Sequence, residues 1–207
     1  ENLARGLSTV SRAVSPRSTL PVLANVLIAT DEGRLRLSAT NLEMGITCWI
    51  PARIEQEGST TAPARTFGDL INTLPGDQVK LTLDTQKQSL HVQGGASNND
   101  IKCIDAQEFP PLPVPDMEGA IQLNVVDFKE MIHQVAFAAS TDEARPVLMG
   151  VLMLVEKDKV TMAAADGFRL SVRKATLSSP APHPLTAIIP ARALSELARI
   201  ASDGEEM

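Results

Sequence analysis

Apolar residues open the chain at helical spacing, with Leu3, Leu7, Val10 and Val14 on one face. Ser15-Pro16 predicts the end of that helix, because a residue before proline is pushed out of the α region. The pattern then shortens to that of strands. Residues 22–29 are almost continuously apolar, 34–40 alternate, and 44–50 follow, with Asp31-Glu32-Gly33 as a turn. A second helix is expected at about 64–74, stopped by Pro75-Gly76. Residues 79–83, 90–93 and 101–105 read as three more strands. The glycine-rich run 94–100 between the last two is better explained by a hairpin turn than by a phosphate cradle.

The same order then begins again. Residues 20–44 align without a gap on 145–169, a shift of 125 positions: Pro21-Val22-Leu23 falls on Pro146-Val147-Leu148, Ala39 on Ala164 and Asn41 on Asp166. Leu3, Leu7, Val10 and Ala13 fall on Phe128, Ile132, Val135 and Ala138. After a two-residue insertion, Pro63-Ala64-Arg65 matches Pro190-Ala191-Arg192. The second copy should therefore place helices at about 126–139 and 191–201. Its opening run 120–124 is strand-like and would find its own counterpart before residue 1. The second copy also stops just after its second helix, so both ends look cut and a longer parent is expected. The Pro-rich stretch 108–115 reads as a semi-rigid linker. The expected fold class is α+β.

Composition narrows the function. The net charge of −6 excludes a basic grip over the whole surface, but a local basic face remains possible because charges are screened over about 10 Å at 0.1 M salt. With no Tyr, five Phe and one Trp, the chain lacks the aromatic platforms of a base-stacking single-strand binder. Cys48 and Cys103 have no metal-like spacing; they suggest a reducing, cytoplasmic setting and two small buried hydrophobes. No apolar run approaches the roughly 20 residues of a membrane span.

Catalytic groups are equally hard to find. No phosphate loop, nucleotide fingerprint or nucleophile elbow occurs, and His91, His133 and His183 lie far apart. Asp166-Gly167 matches Asn41-Leu42 in the repeat, which favours a turn over a catalytic aspartate. No cofactor and no metal site is expected, and the chain does not read as an enzyme. Basic residues do recur on the helices: Arg5, Arg12 and the adjoining Arg17, then Arg65, Lys129, Arg192 and Arg199. Asp69, Asp127, Glu130 and Glu196 share those helices, so on charge alone ordinary solvated faces explain them.

Four segments of copy one (20–27, 40–44, 63–65 and Glu108-Phe109-Pro110) carry a family resemblance, as do 164–170 and 189–192 of copy two. Together they resemble the bacterial sliding clamp, the beta subunit of DNA polymerase III. The resemblance implies tandem DNA-clamp domains, each with two helices packed on antiparallel β sheets. Residues 1–113 would form clamp domain one, lacking its first strand, and 114–207 a truncated domain two. It further implies a non-catalytic processivity factor that closes as a homodimeric ring around double-stranded DNA. Such a ring slides without reading sequence, and its phosphate contacts would come from the seven basic residues named above. Asp142, the repeat counterpart of Arg17, is acidic where the family often has a polar, DNA-touching residue. Replicative polymerase, clamp loader and repair proteins would dock by linear motifs. The domain-two wall of their groove would be Arg145, Leu148, Ala165, Gly167, Phe168, Arg169 and Leu170. Ala165 and Phe168 stand where the family commonly has Thr and His or Tyr. Leu148 and Leu170 also remain readable as plain core residues. The dimer edge would carry Ile101 and Ile104. Two other readings stay open: a repeat-built interaction protein with no DNA role, and an enzyme with an unrecognised site.

Overall fold

The computed structural model describes residues 1–201 apart from Arg17, Asp77 and Asp116. Helix α1 (Asn2–Val10) buries Leu7 and Val10, the residues its spacing singles out. Gly6 lets this helix press on the sheet beneath it, since a Cβ there would sit 2.9 Å from a Leu37 methyl and 3.1 Å from one of Ile50. A 3-10 turn (Ser11–Ala13) ends it. Strands β1 (Asn25–Asp31), β2 (Arg34–Thr40), β3 (Gly45–Pro51) and β4 (Ser59–Pro63) form an antiparallel sheet in the order β3-β2-β1-β4. Helix α2 (Ala64–Thr73) leaves β4 directly and packs beside α1. A second antiparallel sheet, β5 (Lys80–Asp84), β6 (Ser89–Gly94) and β7 (Ser97–Lys102), follows.

Both sheets and both helices share one core. Leu7, Val10, Leu37 and Phe67 meet Leu90, Val92 and Ile101 of the second sheet there. Each such side chain, fully withdrawn from water, contributes about 1.5–3 kcal/mol.

The second half repeats the first. Helix α3 (Val125–Val135) is capped by the Asn124 side chain, which accepts from the backbone N–H groups of Val126 and Asp127. A 3-10 turn (Ala136–Ala138) follows. Strands β8 (Gly150–Glu156), β9 (Lys159–Ala165), β10 (Leu170–Thr176) and β11 (Leu185–Pro190) pair in the order β10-β9-β8-β11, and helix α4 (Ala191–Ile200) packs beside α3. The shift of 125 residues holds from α1 to β3, and the shift of 127 holds for α2 and α4. By contacts the chain divides into two units, Glu1–Pro113 and Val114–Met207.

Four local expectations need correcting. The strand expected at 22–29 begins only at Asn25, because Pro21–Ala24 form a 3-10 turn led by a proline without an N–H. Residues 97–100 belong to β7, so the glycine-rich turn is confined to Gly95 and Ala96. Among the described residues, 120–124 form no extended strand: Asn124 alone makes a β-bridge, and its side chain caps α3. Finally, residues 108–113 are docked on unit one and are not a free spacer. Thr61 and Ile104 exchange backbone hydrogen bonds of 3.1 and 3.2 Å, which returns the chain to the edge of β4. Phe109 then packs on Val22 and Leu23, with Leu27, Ile104 and Leu112 around it.

Candidate partner-docking turn and basic helix faces

The β9–β10 connection is built on one side chain. Asp166 Oδ1 accepts from the backbone N–H groups of Phe168 (2.9 Å) and Arg169 (3.0 Å), the local bonding that makes Asp a turn residue. In unit one Asn41 Oδ1 does the same for Glu43 and Met44, at 3.0 and 2.9 Å. Asp166 is thus a turn residue, as the repeat suggests. The next residue takes a positive φ in both copies: +74° at Leu42 and +94° at Gly167. Leucine tolerates that conformation at a cost. Glycine in copy two also leaves room, because a Cβ at Gly167 would lie 3.3 Å from Arg145 Nη1.

Two arginines brace the turn. Arg145 donates to the Asp166 carbonyl at 3.1 Å and to Asp142 Oδ2 at 2.9 Å. Arg169 Nε lies 2.9 Å from Asp166 Oδ2, and its guanidinium sits 5.5 Å above the Phe137 ring. The Asp166 carboxyl is held below the ordinary aspartate range by the Phe168 N–H first, then by the Arg169 N–H and guanidinium. The Ala144 N–H and Arg145 do the same for Asp142. The acidic residue opposite Arg17 in the repeat is therefore the partner of Arg145. Arg17 itself lies outside the described residues.

Around this polar frame the surface is apolar and open. Phe168 is 96% exposed and Leu170 69%, while Leu148 and Ala165 are half-buried; Leu170 pairs with Ala165 across the strands. Leu170 is therefore no core residue. The contrast with unit one is informative. Val147 is 66% exposed, but its counterpart Val22 is 5% exposed because Phe109 lies on it. The sequence pointed to the turn and to Asp166 in it, but not to Val147 or Phe137 as part of the site. Val147 is visible in the repeat, yet its exposure depends on what covers it.

The basic candidates are spread over both units. Arg5 is exposed and bonds Asn2 Oδ1 at 3.3 Å, while Arg12 lies half-buried in the turn after α1. Arg65 is solvent-exposed at the start of α2 and 3.8 Å from Asp69. Arg192 is exposed at the start of α4, and Arg199 pairs with Glu196 at 2.7 Å. Lys129 is engaged differently: its ammonium donates at 3.3 Å to the Ala201 carbonyl at the end of α4, where helix carbonyls attract a cation. The two isoleucines expected at an outer edge turn inward. Ile101 sits in the unit-one core and Ile104 against the Phe109 cluster, so neither side chain is offered by β7 as an edge. For Ile101 strand alternation is the reason, since Asn98, Asp100 and Lys102 take the outward positions of β7; Ile104 lies past its end, bridged to Thr61. Among the described residues no group of three or more His, Cys, Asp or Glu is placed to hold a metal ion. None of the described helices is long and apolar enough to cross a membrane.

Comparison with known proteins gives this arrangement a family. A beta sliding clamp of Staphylococcus epidermidis is 38% identical over 208 aligned positions, covering 97% of this chain and 55% of that protein. Clamps of Staphylococcus aureus match at the same identity and coverage. This chain thus spans about half the length of the curated relatives it matches. Among solved structures, the DNA polymerase sliding clamp of Bacillus subtilis superposes with a TM-score of 0.91 at 31% identity, over 97% of this chain and 55% of that one. A Pseudomonas aeruginosa sliding clamp bound to griselimycin superposes with a TM-score of 0.83 at 28% identity, over 96% and 54%. Residues 1–113 match the family model of the N-terminal domain of the DNA polymerase III beta subunit, and 122–207 that of its central domain. The repeated unit, its helix pairs and the turn between β9 and β10 are therefore those of a clamp, and the chain belongs to the DNA polymerase III beta subunit family.

Proposed function

We propose that this chain is the N-terminal and central part of a processivity factor. In the complete subunit it helps close a homodimeric ring around duplex DNA in the cytoplasm, and it catalyses no reaction. A ring is retained by topology, so it does not need tight contacts. Each phosphate neutralised adds affinity through counterion release and makes binding salt-sensitive, so a sliding ring is served by few, dispersed cations. Phosphate contacts carry no sequence information, which suits a factor that must pass every sequence. Arg5, Arg12, Arg17, Arg65, Arg192 and Arg199 are the candidates. Lys129, tied to the end of α4, is the weakest of the set.

The same subunit would dock polymerase, clamp-loader and repair proteins through short segments at the unit-two turn. The observation that carries this is the turn itself: Phe168 and Leu170 stand exposed beside Arg145 and Arg169, which Asp166 holds in place. An apolar surface flanked by Arg145 and Arg169 suits a segment with aliphatic and aromatic anchors and an acidic or polar neighbour. That a relative's structure holds griselimycin supports a ligand-accepting surface in clamps of this kind. Placing homodimer contacts on β7 finds no support in the inward-facing Ile101 and Ile104, and its backbone edge is the remaining candidate there.

Primer extension on a closed circular template tests the proposal. With its clamp loader and polymerase, the complete subunit should lengthen the tracts made per binding event. Tracts of unchanged length would contradict it and favour an interaction protein without a DNA role.

A further inference from the structure

Arg169 is held from two sides. Asp166 engages its Nε at 2.9 Å, and the Phe137 ring lies 5.5 Å beneath the guanidinium, inside the ~6 Å range of a cation–π contact. Phe137 is itself largely exposed, on the 3-10 turn Ala136–Ala138, so it is poorly explained as a core residue. The repeat adds an independent argument. The equivalents of Phe137 and Arg169 in unit one are Arg12 and Met44. The aromatic ring is present in the copy that has a cation at the turn, and it is lacking in the copy that has Met44 there.

We propose that Phe137 is a positioning residue of the docking turn: with Asp166 it fixes the Arg169 guanidinium beside Phe168, leaving the Nη edge free to receive a carboxylate of a docked segment. This rests on the reading of the turn as a peptide-docking surface. A guanidinium has five N–H donors in a rigid fork, and a carboxylate answers two of them at once. Left alone on an exposed strand end, the arginine would have to give up rotamer freedom on binding. The ring and the Asp166 carboxylate remove much of that freedom beforehand.

The test uses the complete subunit and a fluorescein-labelled, C-terminally amidated peptide ending in Asp-Leu-Phe, alongside its amidated Asn-Leu-Phe analogue. Phe137→Leu should weaken the acidic peptide by about two- to fivefold, the range of an exposed cation–π contact. It should change the neutral analogue much less. Phe137→Trp should restore affinity. In an Arg169→Ala background, Phe137→Leu should have no further effect. The Arg169 Nε–Hε resonance provides a readout independent of peptide: the ring current shifts it in the parent, and Phe137→Leu should move it toward the free-arginine position.

An unmoved resonance, an equal loss for both peptides, or an effect that persists without Arg169 would each overturn the positioning role. Phe168→Ala serves as the control for the underlying reading. If Phe168→Ala weakens the peptide and Phe137→Leu does not, only the role of Phe137 is lost. If neither does, the docking surface itself is misplaced.

Discussion

Replacing Phe168 with alanine separates docking from folding, because 96% of this residue is already in water. Its ring stabilises nothing that can be lost on truncation. A Phe enclosed by a partner buries about 150–250 Å². Covering half of that, about 100 Å² at about 25 cal/mol per Å², is worth about 2.5 kcal/mol. That corresponds to roughly sixtyfold in Kd. The assay is calorimetry of the complete subunit with the peptide ending in Asp-Leu-Phe, paired with thermal unfolding of the same variant. Affinity should fall by about that factor while Tm stays within about 1 °C, as surface changes usually leave stability within about 0.5 kcal/mol. The backbone N–H of Phe168 that bonds Asp166 survives the substitution, so the turn itself should persist. Unchanged affinity would refute the docking argument. A large fall in Tm would show that the ring is packed after all.

Two other outcomes follow from the same structure. Phe109→Ala should destabilise unit one by about 3–5 kcal/mol, the usual cost of emptying a buried Phe site; denaturant unfolding measures it, and a loss below about 1 kcal/mol would mean that the linker does not seal Val22 and Leu23. Acid should release the β9–β10 turn late: the Asp166 carboxyl is depressed in the fold, so its stabilisation is complete above the ordinary pKa of about 3.9 and disappears as pH falls through the folded value. The Phe168 and Arg169 amide signals should hold steady down to about pH 4 and move only below it. Movement centred above pH 4 would contradict the hydrogen-bonding account.

The repeat was the most legible feature of the sequence, because gapless matches such as Pro21-Val22-Leu23 with Pro146-Val147-Leu148 carry register as well as element type. Local pattern also gave the helices and most strands. It failed where tertiary partners decide. Residues 120–124 look strand-like in isolation, but among the described residues they form no extended strand: only Asn124 makes a single β-bridge, and its side chain caps α3. Ile101 and Ile104 look like edge residues, yet the pleat turns Ile101 into the core, and Ile104, past the end of β7, packs beside Phe109. The seven groove residues came from resemblance; Ala165, Gly167, Phe168, Arg169 and Leu170 form or flank one turn, and Arg145 bonds it. The bracing beneath them was hidden because Phe137 reaches Arg169 across 32 positions, and no short pattern links the two. Lys129 shows the same limit: its partner at Ala201 lies 72 residues away.

The ring is the claim on which the rest depends, and severing the DNA tests it most directly. The complete subunit, labelled and loaded on closed circular duplex, should remain through a high-salt wash and leave once a nuclease linearises the circle, by sliding off the ends. If it stays on the linear DNA at the same salt, or if it washes off the closed circle, it is held by surface contacts and the topological account is wrong.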